Sequence, residues 1–338
     1  MNSTSTRPVG KGNVLISRSL TTLLKYGVYL IFGLMVAYFA TRNPRFFTVD
    51  NLLLILQQAS PLGIVVVGMT LVLVLGGLDI SVGRIMFLSG SIIGYVLTRT
   101  SLFPPGLFER ADGYLIVFGI CVLTGAIIGL INGLLVAKLR IVPFIATLAI
   151  GSIIRGIGLT ISGSRTPATS LISGFVNSKL LGLPMTLVFF IVIALLFDFV
   201  LRRTVYGRHL MAIGNSPDMA HKTGINVARS TILAYVICGS LAGFSGGLLA
   251  GQVGAISISF GEGNEFIAIS AAVLGGTSLF GGKGSIIPGA IIGIILVTTI
   301  MNGLAMVNAS PYVYTIVRGC IIFFAVMVDS IKYKGELR

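Results

Sequence analysis

Ten long stretches of apolar residues limit what this chain can fold into. Each holds roughly 17–22 residues, the length with which an α-helix crosses a hydrocarbon layer of about 30 Å. Only 10% of the residues are charged and the mean hydropathy is +1.00, whereas soluble domains carry about 25% charged residues. The stretches lack the short alternating pattern of a membrane β-barrel, so the sequence predicts an all-α integral membrane protein, a polytopic helical bundle. The predicted spans are 26–41, 60–77, 83–98, 114–137, 143–162, 184–201, 230–252, 264–280, 285–304 and 311–331.

The distribution of basic residues predicts the orientation of these spans. Most of the 24 Lys and Arg residues fall in segments on one side, which indicates the cytoplasmic side. We therefore predict a cytoplasmic tail over 1–25, a membrane domain over 26–331 with a cytoplasmic segment at 202–229, and a second cytoplasmic tail over 332–338. Because topology accounts for the net charge of +14, that charge does not predict a nucleic-acid partner.

Three local features add to this description. The segment 45–58 is amphipathic and is predicted to lie at the outer interface before the chain enters the membrane near Ser60. The first apolar run lacks a small-residue cleavage site, so it is predicted to be a retained span rather than a signal peptide. The 44 glycines predict close contacts between helices.

The cysteines and histidines predict no metal site, disulfide or cofactor in this chain. Cys121, Cys238 and Cys320 lie in apolar runs without paired spacing, which is typical of small packing residues. His209 and His221 are too few for a metal-binding set.

A polar stretch, residues 202–227, stands out between two apolar runs. Pro217 follows two residues that can cap a helix, Asn215 and Ser216, and so favours a helix start. Gly224 suits a left-handed helix end. The stretch predicts one short exposed helix over 218–223 between two spans. The alternative is an ordinary loop that is basic only because it is cytoplasmic.

Two glycine-containing stretches, GGLDISVGR at 76–84 and GGTSLFGGK at 275–283, resemble each other. Both follow an inward-running apolar run and end in a cation, and Asn-Gly recurs at 132–133 and 302–303. These repeats predict a duplicated core with interrupted helices near a transport path, although chance is the alternative in a chain so rich in glycine. The residues predicted to line this path or the helix breaks are Gly77, Asp79, Ser81, Asn132, Asn302, Thr277 and Ser278.

Charged residues are few in or near the spans: Asp79, Arg155, Asp198, Arg318 and Asp329. A charge at the bilayer centre costs about 2.5–3.5 kcal/mol on insertion scales, so each needs a partner, water or a position near the interface. Asp79 is either an element of the path or a polar cap that holds two helix ends together. Arg155 and Arg318 are predicted to be paired structural groups.

The sequence does not predict catalysis. The stretch 275–284 resembles a phosphate-binding loop, but Gly284 stands where that loop needs Ser or Thr. The chain also lacks a nucleophile–base constellation and a relay of His, Glu and Asp, and the second absence counts against ion-driven transport.

Four blocks occur in order: GMTLVLVLGGLDISVGR (68–84), GLINGLLVAKLRIVPFIATLA (129–149), YGRHLMAIGNSPDMAHKTGINV (206–227) and FIAISAAVLGGTSLFGGKGS (266–285). They resemble the membrane permease subunits of bacterial sugar ABC importers, in the ribose, galactose, xylose, arabinose and allose subgroup. The resemblance extends from about residue 46 to 331. It implies an ABC importer permease fold of about ten helices, some interrupted, in the bacterial inner membrane.

The resemblance also implies partners. They are a second permease subunit, identical or closely related, a periplasmic sugar-binding protein, and a cytoplasmic ATPase whose two nucleotide-binding halves hold ATP and Mg. The family's coupling helix corresponds to residues 215–226, although the segment 216–221 departs from relatives that often carry Glu and more alanines. The residues expected to contact the ATPase are Asn215, Asp218, Ala220, Lys222, Thr223 and Gly224.

The expected substrate is a neutral monosaccharide. The alternatives are an ion-coupled secondary carrier, an ABC permease for a small polyol, nucleoside or signalling furanose, and a receptor-like membrane protein. Co-purification of an ATPase separates the ABC permease from the carrier and the receptor.

Overall fold

The computed structural model describes residues 32–99, 107, 111–163 and 169–336, which are mainly helical. The first described helix, α1, covers 32–42. The others are α2 (Val49–Val74), α3 (Val82–Leu97), α4 (Ala111–Ala137), α5 (Pro143–Ser162), α6 (Ser170–Val176), α7 (Met185–Arg203), α8 (Val205–Asn215), α9 (Pro217–Lys222), α10 (Val227–Val253), α11 (Asn264–Leu274), α12 (Ile291–Met306) and α13 (Pro311–Glu336). Strands β1 (Lys179–Leu180) and β2 (Leu183–Pro184) form an antiparallel hairpin before α7.

The helical membrane-protein class is confirmed. Within the described ranges, seven helices are long and apolar enough to cross a membrane: α2, α4, α5, α7, α10, α13 and the element Ile286–Met306 that contains α12. Two shorter apolar helices, α3 and α11, adjoin the predicted helix breaks. With α1, whose predicted start at residue 26 lies outside the described residues, these elements are compatible with ten spans.

The core is built around α2 and α10, which pack on each other. Glycines bring α10 against α4: a Cβ on Gly239 would lie 3.0 Å from the Cα of Gly129. Backbones approach this closely only where side chains are absent, so the predicted glycine-mediated contacts are confirmed. Cys121 and Cys238 are buried and Cys320 is exposed, and all three are free thiols.

The prediction for residues 45–58 is wrong in part. Instead of an interfacial segment followed by a separate span, one continuous helix, α2, runs through Pro61. Proline cannot bond to the carbonyl four residues earlier, but the amide of Gln252 donates to that carbonyl, Gln57 O, at 3.4 Å. Ser245 Oγ donates to Pro61 O. These bonds from α10 allow the helix to continue in an apolar setting.

The boundaries of the last three predicted spans also change. Helix α11 ends at Leu274 and is followed by the break at 275–285, because Gly276, Gly281 and Gly282 adopt positive φ angles. A kinked segment, Ile286–Ala290, in which Ile287 has extended backbone angles, precedes α12. Helix α13 continues to Glu336. The predicted cytoplasmic tail at 1–25 lies outside the described residues, as does most of the loop after α3 that is predicted to be external.

Candidate functional site

The polar stretch between α7 and α10 folds into two helices, α8 and α9, rather than the single helix predicted. Thr204 starts α8 by accepting a hydrogen bond from Gly207 N at 3.3 Å. The hydroxyl of Tyr206 donates to Ser230 O on α10 at 3.3 Å, and burial raises the pKa of this phenol. Helix α8 is therefore bonded to α10, and α9 follows α8 directly in the chain.

The caps predicted for the short helix α9 are present. Ser216 Oγ accepts from Met219 N at 3.4 Å, with Pro217 in the first turn. At the other end, Gly224 has φ +84°, Gly224 N donates to His221 O at 3.0 Å, and Ile225 N donates to Ala220 O at 3.1 Å. This pair of bonds is the Schellman arrangement, which needs a left-handed residue at its turn.

Most of α9 is exposed, which suits a docking surface. Among the predicted contact residues Ala220 is the exception, since only 4% of it is exposed, so Ala220 anchors the helix to the protein. Met219 is 58% exposed although methionine is usually buried. This side chain, absent from the sequence-based set, is the apolar group that α9 presents outward. The predicted residues that are exposed are Asn215, Asp218, Lys222, Thr223 and Gly224.

The end of α8 lies against both helix breaks through glycine backbone contacts. A Cβ on Gly214 would overlap the carbonyl oxygen of Val74 and the nitrogen of Gly282, and Gly282 N donates to Val74 O at 2.8 Å. A Cβ on Gly281 would lie 2.8 Å from Gly214 O and 3.0 Å from Gly76 Cα. We call Gly76, Gly214, Gly281 and Gly282 the glycine junction. Since α9 begins three residues after Gly214, the junction connects α9 to both breaks.

The first break, 75–81, is held by Asp79. This carboxylate is fully buried, and its Oδ1 accepts from Ser81 N at 2.9 Å and from Ser81 Oγ at 2.6 Å. Asn132 Nδ2 on α4 donates to Ser81 Oγ at 2.8 Å. The geometry is an Asx turn that links the break to α4. Three of the predicted path residues thus lie together, and their role in transport remains a prediction.

Other backbone groups of this break are bound by neighbouring helices. Ile80 N donates to Thr147 Oγ1 at 3.1 Å, and Tyr235 Oη donates to Leu78 O at 3.1 Å. A Cβ on Gly77 would lie 2.8 Å from Tyr235 Oη, so a glycine is needed for that bond. The break is therefore supported by α4, α5 and α10 together.

We expect Asp79→Asn to be tolerated better than Asp79→Leu. Asparagine keeps an acceptor for Ser81, whereas leucine leaves a buried N–H and hydroxyl unpaired at a cost of about 1–3 kcal/mol each. The measurement is the melting midpoint and the amount of membrane-inserted protein. Equal values for wild type and Asp79→Leu would show that the carboxylate does not hold the break.

The second break, 275–285, is bound by a carboxylate of α13, and the segment that follows it is bound by a carboxylate of α7. Leu279 N donates to Asp329 Oδ2 at 2.8 Å, and Ser278 Oγ donates to the same oxygen at 3.5 Å. Ile287 N donates to Asp198 Oδ1, which also pairs with Arg202 Nε, both at 2.9 Å. Thus α13 binds the break, and α7 binds Ile287 just beyond it.

Two of the predicted path residues, Thr277 and Asn302, do not belong to the cluster around Asp79. Thr277 is fully buried, within 3.3 Å of the position a Cβ on Gly284 would take. Asn302 is paired with Asn51 through reciprocal amide bonds of 3.1 and 3.2 Å. This pair is at the opposite end of α2 from the first break, so Asn302 and Asn132 do not form one site.

A cleft of about 1310 Å³ separates α9 from the first break. Its wall includes Gly76 and Gly77 from the break, Arg140 before α5, and His221 and Lys222 from α9. The cleft leaves α9 free of the membrane helices on one side.

Comparisons with known proteins agree with this architecture. A family model described as "Branched-chain amino acid transport system / permease component" matches residues 51–326. The ribose import permease protein of Escherichia coli K12 is 34% identical over 88% of this chain and 91% of its own length. The galactose/methyl galactoside import permease protein of the same strain is 34% identical over 93% of this chain and 96% of its own length. The D-allose transport system permease protein of that strain is 33% identical over 92% of this chain and 93% of its own length. No solved structure gives a significant match. The chain therefore belongs to the branched-chain amino acid transport system / permease component family and is a multi-pass transport permease.

Proposed function

We propose that this chain forms the translocation path of an ATP-driven, binding-protein-dependent importer of a neutral monosaccharide. The three relatives above are named for ribose, for galactose and methyl galactoside, and for D-allose, and each aligns over most of its length. The family description mentions amino acids, but these curated relatives agree on sugars. Hydroxyl-rich, uncharged substrates also suit spans with few charged residues.

The observation that carries the proposal is the exposed position of α9 and its connection to the helix breaks. An importer that uses ATP on another subunit needs an exposed element that the ATPase can grip and that pulls on the membrane helices. Helix α9 is exposed, capped at both ends and joined at the glycine junction to both helix breaks. Closure of the two ATPase halves would move α9, and Gly214 would pass the movement to both breaks.

The partners follow from this function. They are a cytoplasmic ATPase subunit with two nucleotide-binding domains that hold ATP and Mg, a periplasmic sugar-binding protein, and a second permease subunit, with lipid around the assembly and no nucleic acid. The chain itself would carry out no catalysis. It would lie in the bacterial inner membrane with both termini and residues 202–229 in the cytoplasm.

We expect two substitutions on α9 to uncouple ATP use from transport to different extents. Lys222→Glu reverses an exposed charge, and a single exposed charge contact is usually worth less than about 1 kcal/mol. Gly224→Leu places a side chain at φ +84°, with strain of about 1–3 kcal/mol, and should have the larger effect. The measurements are sugar-stimulated ATP hydrolysis in reconstituted vesicles and co-purification of the ATPase.

Matched controls lie in the β1–β2 hairpin. Lys179 is an exposed cation and Gly182 has φ +82° with open space around it, so Lys179→Glu and Gly182→Leu make the same chemical changes away from α9. If the α9 variants equalled wild type in both assays, α9 would be an ordinary loop element. If no ATPase co-purified and the chain alone moved solute along an ion gradient, it would be a secondary carrier.

A further inference from the structure

The segment 254–263, between α10 and α11, lies at membrane depth without regular structure. Helix α11 has 11 residues, about 16 Å at 1.5 Å per residue, and it leads to the break that contacts α8. Helix α11 therefore crosses only about half of a hydrocarbon layer of about 30 Å, and the irregular segment lies in the outer half. Arg155, the thirteenth residue of the 20-residue α5, donates through Nη2 to Ile258 O at 3.2 Å, which places the segment about 10 Å below the outer end of α5.

Three of the four exposed residues of this segment are polar, the fourth being Ile258, so lipid alone cannot be its neighbour. Ser257, Ser259 and Glu262 are exposed, and the Glu262 side chain is 64% exposed. Irregular backbone at membrane depth is tolerated only against protein or a water-filled cavity, and exposed charges there are similarly confined. The part of α7 before Arg202 gives the contrast, because all its exposed residues are apolar: Ile191, Val192, Leu195, Leu196 and Phe199.

An ion pair is the chemical centre of this surface. Arg155 Nη2 lies 3.5 Å from Glu262 Oε2, and the Arg155 side chain is 26% exposed. The guanidinium also lies over the ring of Phe87, 5.7 Å from its centroid, which fixes its orientation. One turn earlier on the same face, α5 exposes Ser152. The pair offers planar donors and acceptor oxygens with no net charge, a combination that matches adjacent hydroxyls of a neutral sugar.

We propose that Arg155, Glu262, Ser257, Ser259 and Ser152 form the wall of a water-filled outer vestibule, and that Arg155 and Glu262 bind sugar hydroxyls there. The name vestibule refers to the space that these five residues line. Water access is independent of the substrate, whereas the sugar assignment rests on the proposed function. The sequence predicts that Arg155 is a paired structural group. Its partner is Glu262, and in this proposal the pair also faces the substrate path.

The first test measures water access. With Cys320 replaced by Ala, Ser259→Cys should react from outside with a charged, membrane-impermeant thiol reagent, because the reactive thiolate forms in water. Leu181→Cys, at a hairpin position that is 96% exposed, is the positive control, and Leu195→Cys on the apolar face of α7 is the negative control. If Ser259→Cys reacts no faster than Leu195→Cys, the vestibule is wrong for any substrate.

The second test measures uptake of D-ribose, D-galactose and D-allose by the full transporter. Glu262→Met and Arg155→Met should each lower uptake at least about tenfold, equivalent to 1.4 kcal/mol, with normal amounts of inserted protein. Glu262→Gln, which keeps hydrogen-bonding atoms, should retain most of it. Arg99→Met, at an exposed cation stacked on Tyr95, is the matched control and should leave uptake unchanged.

Different results would contradict the water-filled vestibule and the binding of sugar by Arg155 and Glu262. If the exchanged pair Arg155→Glu with Glu262→Arg restored uptake to the wild-type level, the pair would be structural and the sugar-binding role would be wrong. If the wild-type transporter took up none of the sugars, the proposed function and the sugar role would both be overturned. The labelling result would still decide whether the vestibule exists.

Discussion

Gly214→Ala is expected to lower sugar uptake at least about tenfold, equivalent to 1.4 kcal/mol, while the ATPase still binds. A methyl group at Gly214 would overlap Val74 O and Gly282 N, two atoms already joined by a hydrogen bond of 2.8 Å. Neither is the end of a flexible side chain, so α8 must shift away from the breaks. The exposed surface of α9 is unchanged by this substitution, so docking should persist.

The measurements are uptake, stimulated ATP hydrolysis and co-purification of the ATPase. Gly319→Ala on α13 is the control, because a Cβ there meets nothing within 4 Å. We expect Gly214→Ala to retain co-purification and to lose the dependence of ATP hydrolysis on sugar-loaded binding protein. Wild-type uptake by Gly214→Ala would exclude the glycine junction as the connection between α9 and the breaks.

Gly239→Leu is expected to reduce the stability of the fold itself, and not only the coupling of ATP hydrolysis to transport. The α4–α10 contact is made of backbone on both sides, since a Cβ on Gly239 would overlap Gly125 O and lie 3.0 Å from Gly129 N. Overpacking in a close-packed core typically costs about 1–3 kcal/mol, and here three further side-chain carbons would have to be placed between two helices. Membrane helices associate largely through such packing, so separating them removes much of the stabilisation of α10.

The amount of membrane-inserted protein and its melting midpoint in detergent measure this effect. Gly119→Leu, on α4 with open space at its Cβ position, adds the same side chain to one of the two helices. We expect Gly239→Leu to melt several degrees lower than Gly119→Leu or to yield no folded protein. Equal melting of the two variants would contradict the tight α4–α10 contact.

The chemistry of the exposed helix was readable from local sequence, because caps act over three or four residues. Ser216, Pro217 and Gly224 predicted both ends of α9, and the structure has the expected bonds and φ angle. Hydrophobic length predicted the spans in the same way, since the bilayer thickness sets it. The prediction of an interfacial segment at 45–58 is wrong in part. Pro61 and nearby polar residues indicate a helix end, unless a distant group binds the carbonyl of Gln57 that Pro61 leaves without a partner. Gln252 does so, 195 positions along the chain.

By itself the sequence determined the membrane class, the approximate spans and the capped helix α9, because each depends on composition or on neighbouring residues. Tertiary structure alone decided which polar groups meet. It joined Asn302 to Asn51 rather than to the residues around Asp79, placed Asp329 on the second break, and set Gly214 between Val74 and Gly282. The physical reason is that these contacts join residues far apart in the chain. They form only when rigid helices pack at particular distances and rotations, which no local pattern specifies.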